Sequence, residues 1–551
     1  KRGAEKISLR SIGLLPSMYR HWSRLRQEEA RSWEAQNRSP LLGHQGGRSI
    51  METTFVQALR GEAAVAGGEH TGGFLWDLAN FYEFVNHELL WERAKAKGFP
   101  LAILAIILNQ ARARRYLGLG DVAVDARFPR RGLAAGDSFA TYLVQIYTLE
   151  PLERWSSRHP EVPLSLFIDD FLGSTAAPEE HQVVGRLTAA AADLHMEVEK
   201  ELGCRVAQHK SVVVASNDRL LKKLSRAFGK YAGQVAHSGS NLGVDYAPGR
   251  RRAHKKGLNV LRKRAASFRQ RFRRLRALKQ RGYDMRRLYS TGLQAYAYYG
   301  ADVVGLDAPQ LRSAQAEYLS LVGSPARSRS TAVALAVVGD PLWRQALGPV
   351  LTWSSVVWKS TTSSDFQSLV TLPQLGNLAG PAVQALPRTW GGVKGPIGAA
   401  HLSLKRIGWA FDTPFVLVNS DGMKFNLTAL SPALVSYHLQ VAWKMHLGVR
   451  AGAAVGAPAG EQVDASVLQK VVTDLSPRNR ALVQSYVTQA VWSQSRLYSC
   501  GYDVQPTCIH CGAQDTLYHR LWECGFTEDL RAQYFTDDDL LWIRSHPRAS
   551  I

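Results

Sequence analysis

Apolar positions recur at helical spacing early in the chain. Tyr19, Trp22 and Leu25 share one face of a segment that Pro16 opens and that runs to about Gln36, after which glycines across 43–47 mark a loop, so residues 1–70 read as helix-rich. From residue 72 the pattern changes: a short apolar strand over 73–77 ends in Asp77 and gives way to a helix reaching about Lys97, and a further helix is predicted over 101–115. A glycine-containing turn over 131–136 leads into a long apolar helix ending near Trp155. Residues 163–168 and 171–174 predict two short strands flanking Asp169 and Asp170, a hairpin candidate. A helix over 178–202, a strand over 211–215 and a short pair near 235–244 continue the alternation, which predicts an α/β (α+β) fold. Next, Leu258, Leu261, Ala265, Phe268, Phe272, Leu275 and Leu278 form an apolar stripe on a helix whose other faces are Arg and Lys. Beyond Asp307 the chain reads as mostly helical, with turn clusters at 361–364, 391–396 and 452–460 and no internal repeat.

Composition narrows the class. The 551 residues suggest three or four domains at about 150 residues each, and 45% hydrophobic residues exclude general disorder. The longest apolar run, 101–108, is too short for a membrane span, which needs about 20 residues. With 68 Lys+Arg against 46 Asp+Glu the net charge is +22, and 17 of the basic residues with a single acid, Asp284, fall between Arg250 and Arg287. A block of that kind tracks a polyanion or serves as a nuclear-import signal; nucleic acid is the expected partner and an intracellular, nuclear location the expectation, with a solvated face as the plain alternative. Five cysteines are no disulfide framework, which favours a reducing compartment. The first residue is Lys1, so the chain reads as an excerpt from something longer.

Two adjacent carboxylates, Asp169 and Asp170, sit between Leu-Phe-Ile and Phe-Leu, and Asp77 ends another apolar strand. Unpaired carboxylates in apolar surroundings cost several kcal/mol, and divalent cations are a common remedy. A turn pair facing water explains Asp169-Asp170 equally well alone, but a second strand-end acid fits two-metal phosphoryl transfer, in which carboxylates from different strands bridge two ions about 4 Å apart.

The order of these residues resembles the reverse transcriptase family, most closely the polymerases of non-LTR (LINE-type) retrotransposons, over roughly residues 8–290. Arg10-Ser-Ile-Gly-Leu-Leu15 with Tyr19-Arg20, and His44-Gln-Gly-Gly-Arg-Ser49, are similar to two fingers motifs. Asp77-Leu-Ala-Asn-Phe-Tyr-Glu-Phe-Val85 with His87 and Leu90 is similar to the motif whose first Asp ligates metal, and the family's spacing is kept. Gly132-Leu-Ala-Ala-Gly-Asp137, the tetrad Phe167-Ile-Asp-Asp170, Lys210-Ser211 and Leu242-Gly243 follow in family order. The resemblance implies a right-hand polymerase: palm, fingers and helical thumb. It implies Asp77, Asp169 and Asp170 on two Mg²⁺ ions, with Mn²⁺ as a substitute, and Tyr82 as a gate against a ribose 2′-hydroxyl. It further implies Gly136 close to template and nucleotide, Lys210 facing the triphosphate, and Arg10 and Arg48 near the nucleotide. RNA template, DNA primer or target and dNTPs are the implied partners. Ala135 and Glu83 depart from the family's Gln and Asp, and Ser11 from its Pro. Ala135 keeps open an alternative, a catalytically inactive nucleic-acid-binding remnant of the same fold; a polymerase of the group II intron type is another.

Cys508-x2-Cys511-x7-His519-x4-Cys524 offers four ligands at knuckle-like spacing, with Gly512 allowing a tight turn, and predicts structural Zn²⁺. The expected organisation is a fingers part at 1–70, a palm with interleaved fingers elements at 71–245, and a basic helical thumb at 246–305. A mostly helical connector at 306–500 and a zinc-knuckle-like segment at 501–551 follow. In the thumb, Arg262, Arg269, Arg273, Arg276 and Lys279 are expected to hold duplex phosphates. An endonuclease or RNase H domain is not recognisable in these residues, and the oligomeric state is open.

Overall fold

The computed structural model describes residues 13–45, 47–119, 122–125, 128–134, 136–252, 259–322, 329–455 and 457–545. They fall into two compact units. One comprises Lys1–Lys263, Gly300–Gly305 and Pro349–Pro432, the other Arg264–Tyr299, Leu306–Gly348 and Ala433–Ile551. The stretch 306–500, expected as one connector, is thus divided between the two units.

Thirteen strands are present among the described residues: β1 (His70–Ala79), β2 (Tyr116–Leu119), β3 (Val122–Asp125), β4 (Leu164–Phe167), β5 (Asp170–Ala177), β6 (Arg205–Val206), β7 (Val212–Ala215), β8 (Gln234–Val235), β9 (Gly239–Asn241), β10 (Val244–Tyr246), β11 (Ala410–Thr413), β12 (Val416–Val418) and β13 (Lys424–Asn426). The sheet that matters for function lies in the first unit and runs β4-β5-β1-β7-β8, with β6 paired to the far end of β1. Strand alternation gives it two covered faces. Phe74, Trp76, Phe171 and Val213 join Leu187 and Leu194 of the helix Glu180–Met196 and Leu220 and Leu224 of the helix Asp218–Phe228 in one large core. Leu75, Leu172, Val214 and Tyr246 pack on the other face with Ala58 of the helix Ile50–Ala66. Gly173 is required in the central β5 because the Phe74 ring lies over it, and an added Cβ would overlap that ring.

The helix Ile50–Ala66 begins with a capping box between Ser49 and Glu52. Within the first unit two of its buried acids reach residues far along the chain: Glu52 accepts from Lys359 Nζ (2.8 Å) and Ser355 Oγ (2.6 Å), and Glu62 accepts the backbone N–H groups of Ile397 and Gly398 (2.8 Å each) at the start of the helix Pro396–Lys405. A buried carboxylate on a helix N-terminus satisfies donors that the helix itself leaves open. The small sheet β11-β12-β13 stands inside the region expected to be helical, and β2-β3 forms a hairpin between the expected helix over 101–115 and the expected turn over 131–136. Both consist of strands of three or four residues, too short for an alternating pattern to register. Among the described residues no helix is long and apolar enough to cross a membrane.

Candidate active site

Strands β1 and β5 run antiparallel with Asp77 directly opposite Asp170, so the two side chains share a face at the end of the sheet. Phe167 pairs with Asp170 across β4-β5, which leaves Ile168 and Asp169 as a two-residue loop. Ile168 takes φ +63°, a conformation costly for a β-branched residue, of order 1–3 kcal/mol. The Asp169 carbonyl accepts the Leu78 N–H at 3.0 Å, fixing the loop over the end of β1. Just beyond Asp77, β1 leaves β5 for β6, and Ala207 N–H donates to the Asp77 carbonyl at 2.8 Å. The turn that follows brings Lys210 Nζ to 2.9 and 3.1 Å from the two Asp77 carboxylate oxygens.

Three carboxylates therefore gather with one ammonium beside Asp77. Burial, then the charges of Asp169 and Asp77, push the Asp170 carboxyl up to about 6 against the opposing pull of Lys210. Tyr82 is half-buried in the same place, where burial and the Asp169 charge push its phenol up to about 12. An all-oxygen donor set with surplus negative charge matches a hard divalent cation such as Mg²⁺.

Tyr82 rides on a short helix, Phe81–Phe84, which begins after Asn80 in the left-handed region (φ +52°). The 132–136 turn packs against it: Gly132 N–H donates to Val85 O and Leu133 N–H to Tyr82 O, both at 2.8 Å. Gly132 has φ +88°, and a Cβ there would lie 3.0 Å from the Glu83 backbone. His87 locks the pair. Arg112 Nε, which can only donate, reaches His87 Nδ1 at 3.1 Å, so Nε2 carries the proton given to Gly132 O at 2.8 Å. Burial lowers the His87 pKa and keeps that neutral form. Gly136 is exposed at φ +94° with open space around it. Its neighbour Asp137, to which the sequence pattern alone assigns no role, is buried and accepts from Tyr19 Oη (2.6 Å) and Phe139 N–H (2.9 Å). Its signal was an acid between a glycine turn and an apolar helix. Arg10 and Ala135 lie outside the described residues.

Other expected residues stand elsewhere. Arg48, expected near the nucleotide, is buried: it donates to Leu42 O (2.8 Å), Asp365 O (3.1 Å) and Ser368 Oγ. Burial pushes its guanidinium down to about 10. It braces the loop that runs along β4, where Leu166 N–H donates to Leu41 O at 2.7 Å and Gly43 N–H to Leu166 O at 2.8 Å, which makes it a structural tie behind the hairpin. On the helix Asn259–Gln280, Arg262, Arg269, Arg273 and Arg276 are exposed while Leu261 and Phe268 are buried, but Ala265 of the expected stripe faces solvent and Leu258 lies outside the described residues. Lys279 is half-buried and donates to Ser320 O at 2.8 Å, which withdraws it from phosphate.

In the other unit Cys508, Cys511, His519 and Cys524 bring four ligand atoms within 4.8 Å of one another. Cys508 and Cys524 sulfurs stand 3.8 Å apart, Cys511 and Cys524 sulfurs 3.9 Å, and Cys511 Sγ lies 3.1 Å from His519 Nε2. The Cys508–Cys511 turn is closed by Gly512 N–H on Cys508 O (2.9 Å) with Gly512 at φ +75°. Backbone N–H groups of His510 and Cys511 hold the Cys508 thiol down to about 6. The quartet is a candidate metal centre.

Residues 1–246 match the family model described as reverse transcriptase (RNA-dependent DNA polymerase). No curated protein matches the chain. Among solved structures, apo telomerase from Candida tropicalis, truncated from its C-terminal domain, is similar at 12% identity and a TM-score of 0.27; the match covers 42% of this chain and 44% of that one.

Proposed function

From a chain that carries an RNA-directed DNA polymerase domain, a nucleotidyltransferase, in residues 1–246, we propose a polymerase of the non-LTR retrotransposon type, which extends a DNA 3′ end along an RNA template, primed at its target. Reverse transcriptase domains act on a nucleic-acid template with dNTP substrates and use divalent metal ions. The reading rests on one observation above the rest: the register that sets Asp77 opposite Asp170 while the Ile168-Asp169 loop closes over both. Asp77, Asp169 and Asp170 would hold the Mg²⁺ ions. Bound there, the ions make a primer 3′-hydroxyl easier to ionise and neutralise charge on the departing pyrophosphate.

The chain's own groups do the rest. Lys210, paired with Asp77, would turn to the triphosphate once that carboxylate is engaged. Tyr82, fixed by the Gly132 turn, would act as the gate against a ribose 2′-hydroxyl, and the open space around Gly136 would admit template and nucleotide. Arg262, Arg269, Arg273 and Arg276 hold duplex phosphates without reading bases. Cys508, Cys511, His519 and Cys524 hold Zn²⁺ as a structural ion: tetrahedral bonds of about 2.3 Å to sulfur put two sulfurs about 3.8 Å apart, the spacing present here. This downstream Cys-His element supports the non-LTR branch over a group II intron lineage. Primer extension tests the function. The full chain should incorporate dNTPs on an RNA template with Mg²⁺ and Asp169→Ala should not; unchanged synthesis in that variant would remove the assignment, and binding without synthesis in the natural protein would leave only the inactive remnant.

A further inference from the structure

Residues 501–551 reverse the charge of the chain: they hold eight acids and four arginines with no lysine, a net of −4 in a chain of +22. Two of those arginines are engaged inside the segment. Arg520 makes two bonds to Asp515, at 2.6 and 2.7 Å, and the buried Arg531 donates to Thr527 Oγ1 at 2.6 Å. Seven of the eight acids are exposed, Glu523, Glu528 and Asp529 among them, and Arg544 is the one exposed arginine among the described residues of the segment. The helix Glu528–Ala532 and the turn Gly525–Thr527 before it are inverted. An amphipathic helix normally buries its apolar positions and leaves its charges in water. Here Phe526, Leu530 and Tyr534, each four residues from the next, are 70%, 58% and 75% exposed, whereas the charged Arg531 is buried. Phe526 also stacks on His510, with ring centroids 3.9 Å apart and planes within 6°, which brings the Cys508–Cys511 turn and its exposed Ile509 beside the stripe.

Solvation accounts for the carboxylates but not for the rings and aliphatic side chains left in water among them, and an exposed apolar patch rimmed by polar groups marks an interaction surface. Charge decides what covers it. Glu528 and Asp529, interleaved with the stripe, repel phosphate, so neither a duplex nor a single strand is favoured there. A protein segment of opposite charge is: its Lys or Arg side chains meet the carboxylates while apolar side chains between them cover Phe526, Leu530 and Tyr534. We propose that this face docks a basic amphipathic segment of a partner protein, a contact separate from the phosphate grip of the basic helix Asn259–Gln280. The contact requires neither catalysis nor a template, and so goes beyond the polymerase reading and does not depend on it.

The test is equilibrium binding of the full chain to a labelled amphipathic peptide of leucine and lysine, about 18 residues and so long enough to form a helix on contact. A leucine–glutamate peptide of the same pattern is the comparison. The natural protein should bind the lysine peptide and not the glutamate one. Phe526→Ser with Leu530→Ser should weaken that binding about ten- to a hundred-fold, as expected for the loss of two apolar anchors, and should leave duplex affinity level. Glu528→Lys with Asp529→Lys should weaken it too and remove most of its salt dependence. Phe526→Leu with Leu530→Met, and Glu528→Asp with Asp529→Glu, should restore most of the affinity, which separates contact from folding. No binding of the lysine peptide, equal binding of both peptides, or binding that survives both weakening variants would overturn the proposal. Duplex affinity that falls with Phe526→Ser and Leu530→Ser would also overturn it, by giving the face to nucleic acid. So would a monomer–dimer equilibrium in sedimentation that the same pair abolishes, by giving the face to a second copy of the chain.

Discussion

Asp170 offers the sharpest physical test of the carboxylate cluster. Burial and the charges of Asp169 and Asp77 push its carboxyl up to about 6 from an ordinary 3.8. Between those values the folded protein holds a proton that the unfolded chain has released, so stability from this group is fully present below pH 3.8 and is lost as pH rises through about 6. At about 1.4 kcal/mol per pH unit the penalty above pH 6 has a ceiling of about 3 kcal/mol, and because the carboxyl is only half-buried, screening by water brings it to about 1–2 kcal/mol. Asp170→Asn removes the charge and keeps the shape. In urea unfolding followed by tryptophan fluorescence, with divalent ions absent, the variant should exceed the natural protein by about 1–2 kcal/mol at pH 8 and match it near pH 4. Added Mg²⁺ should narrow the gap by stabilising the natural protein more, because an ion that binds only the folded state adds to its stability. An Asn variant no more stable than the natural protein at pH 8, or a difference of the same size at both pH values, would refute the crowding of charge at this site.

Three further outcomes follow from the geometry. Protein purified without chelator should contain about one Zn²⁺ per chain by metal analysis, and Cys511→Ser should lose it while residues 501–545 become sensitive to protease; metal-free protein with that segment equally resistant would exclude the zinc assignment. Tyr82→Ala should admit ribonucleotides in primer extension, and an unchanged preference for dNTPs would take the ring out of the gate role. Replacing Arg269, Arg273 and Arg276 with Ala should weaken duplex binding for every sequence alike and lower its salt slope by about 2.7, so a loss confined to one sequence would contradict a phosphate grip.

How much of this was legible in the chain depended on how local each signal was. Asp77 and the Asp169-Asp170 pair could be read because an acid that ends an apolar strand is conspicuous within a few residues. The Cys508 to Cys524 set could be read because its ligands lie 16 positions apart. Arg48 could not. Its fate is decided by Asp365 and Ser368, more than 300 positions away, and a sequence shows an arginine at the end of a glycine-rich loop but not what buries it. Lys279 failed for the same reason at shorter range: its place on a basic helix predicted phosphate, and a carbonyl at Ser320 took the ammonium instead. Glu52 and Glu62 look like ordinary charges on an amphipathic helix until Lys359 and the 397–398 backbone arrive.

The Ile168-Asp169 loop shows a different failure, in which local rules point away from what forms. Two-residue hairpins favour glycine, asparagine or aspartate at their first position because that residue takes positive φ. Here an isoleucine takes it. Turn chemistry alone would lengthen the loop and move Asp170 out of the strand, in line with a second strand expected over 171–174. The structure keeps Asp170 in β5 because pairing with both Phe167 and Asp77, together with the Leu78 bond to the Asp169 carbonyl, outweighs the strain of one β-branched residue. With a longer and relaxed loop, Asp170 would no longer face Asp77 in register, and the crowding that pushes its carboxyl up to about 6 would disperse. The strained isoleucine and the perturbed aspartate are consequences of the same backbone register, which is why a local sequence rule breaks at the point where charge is being gathered.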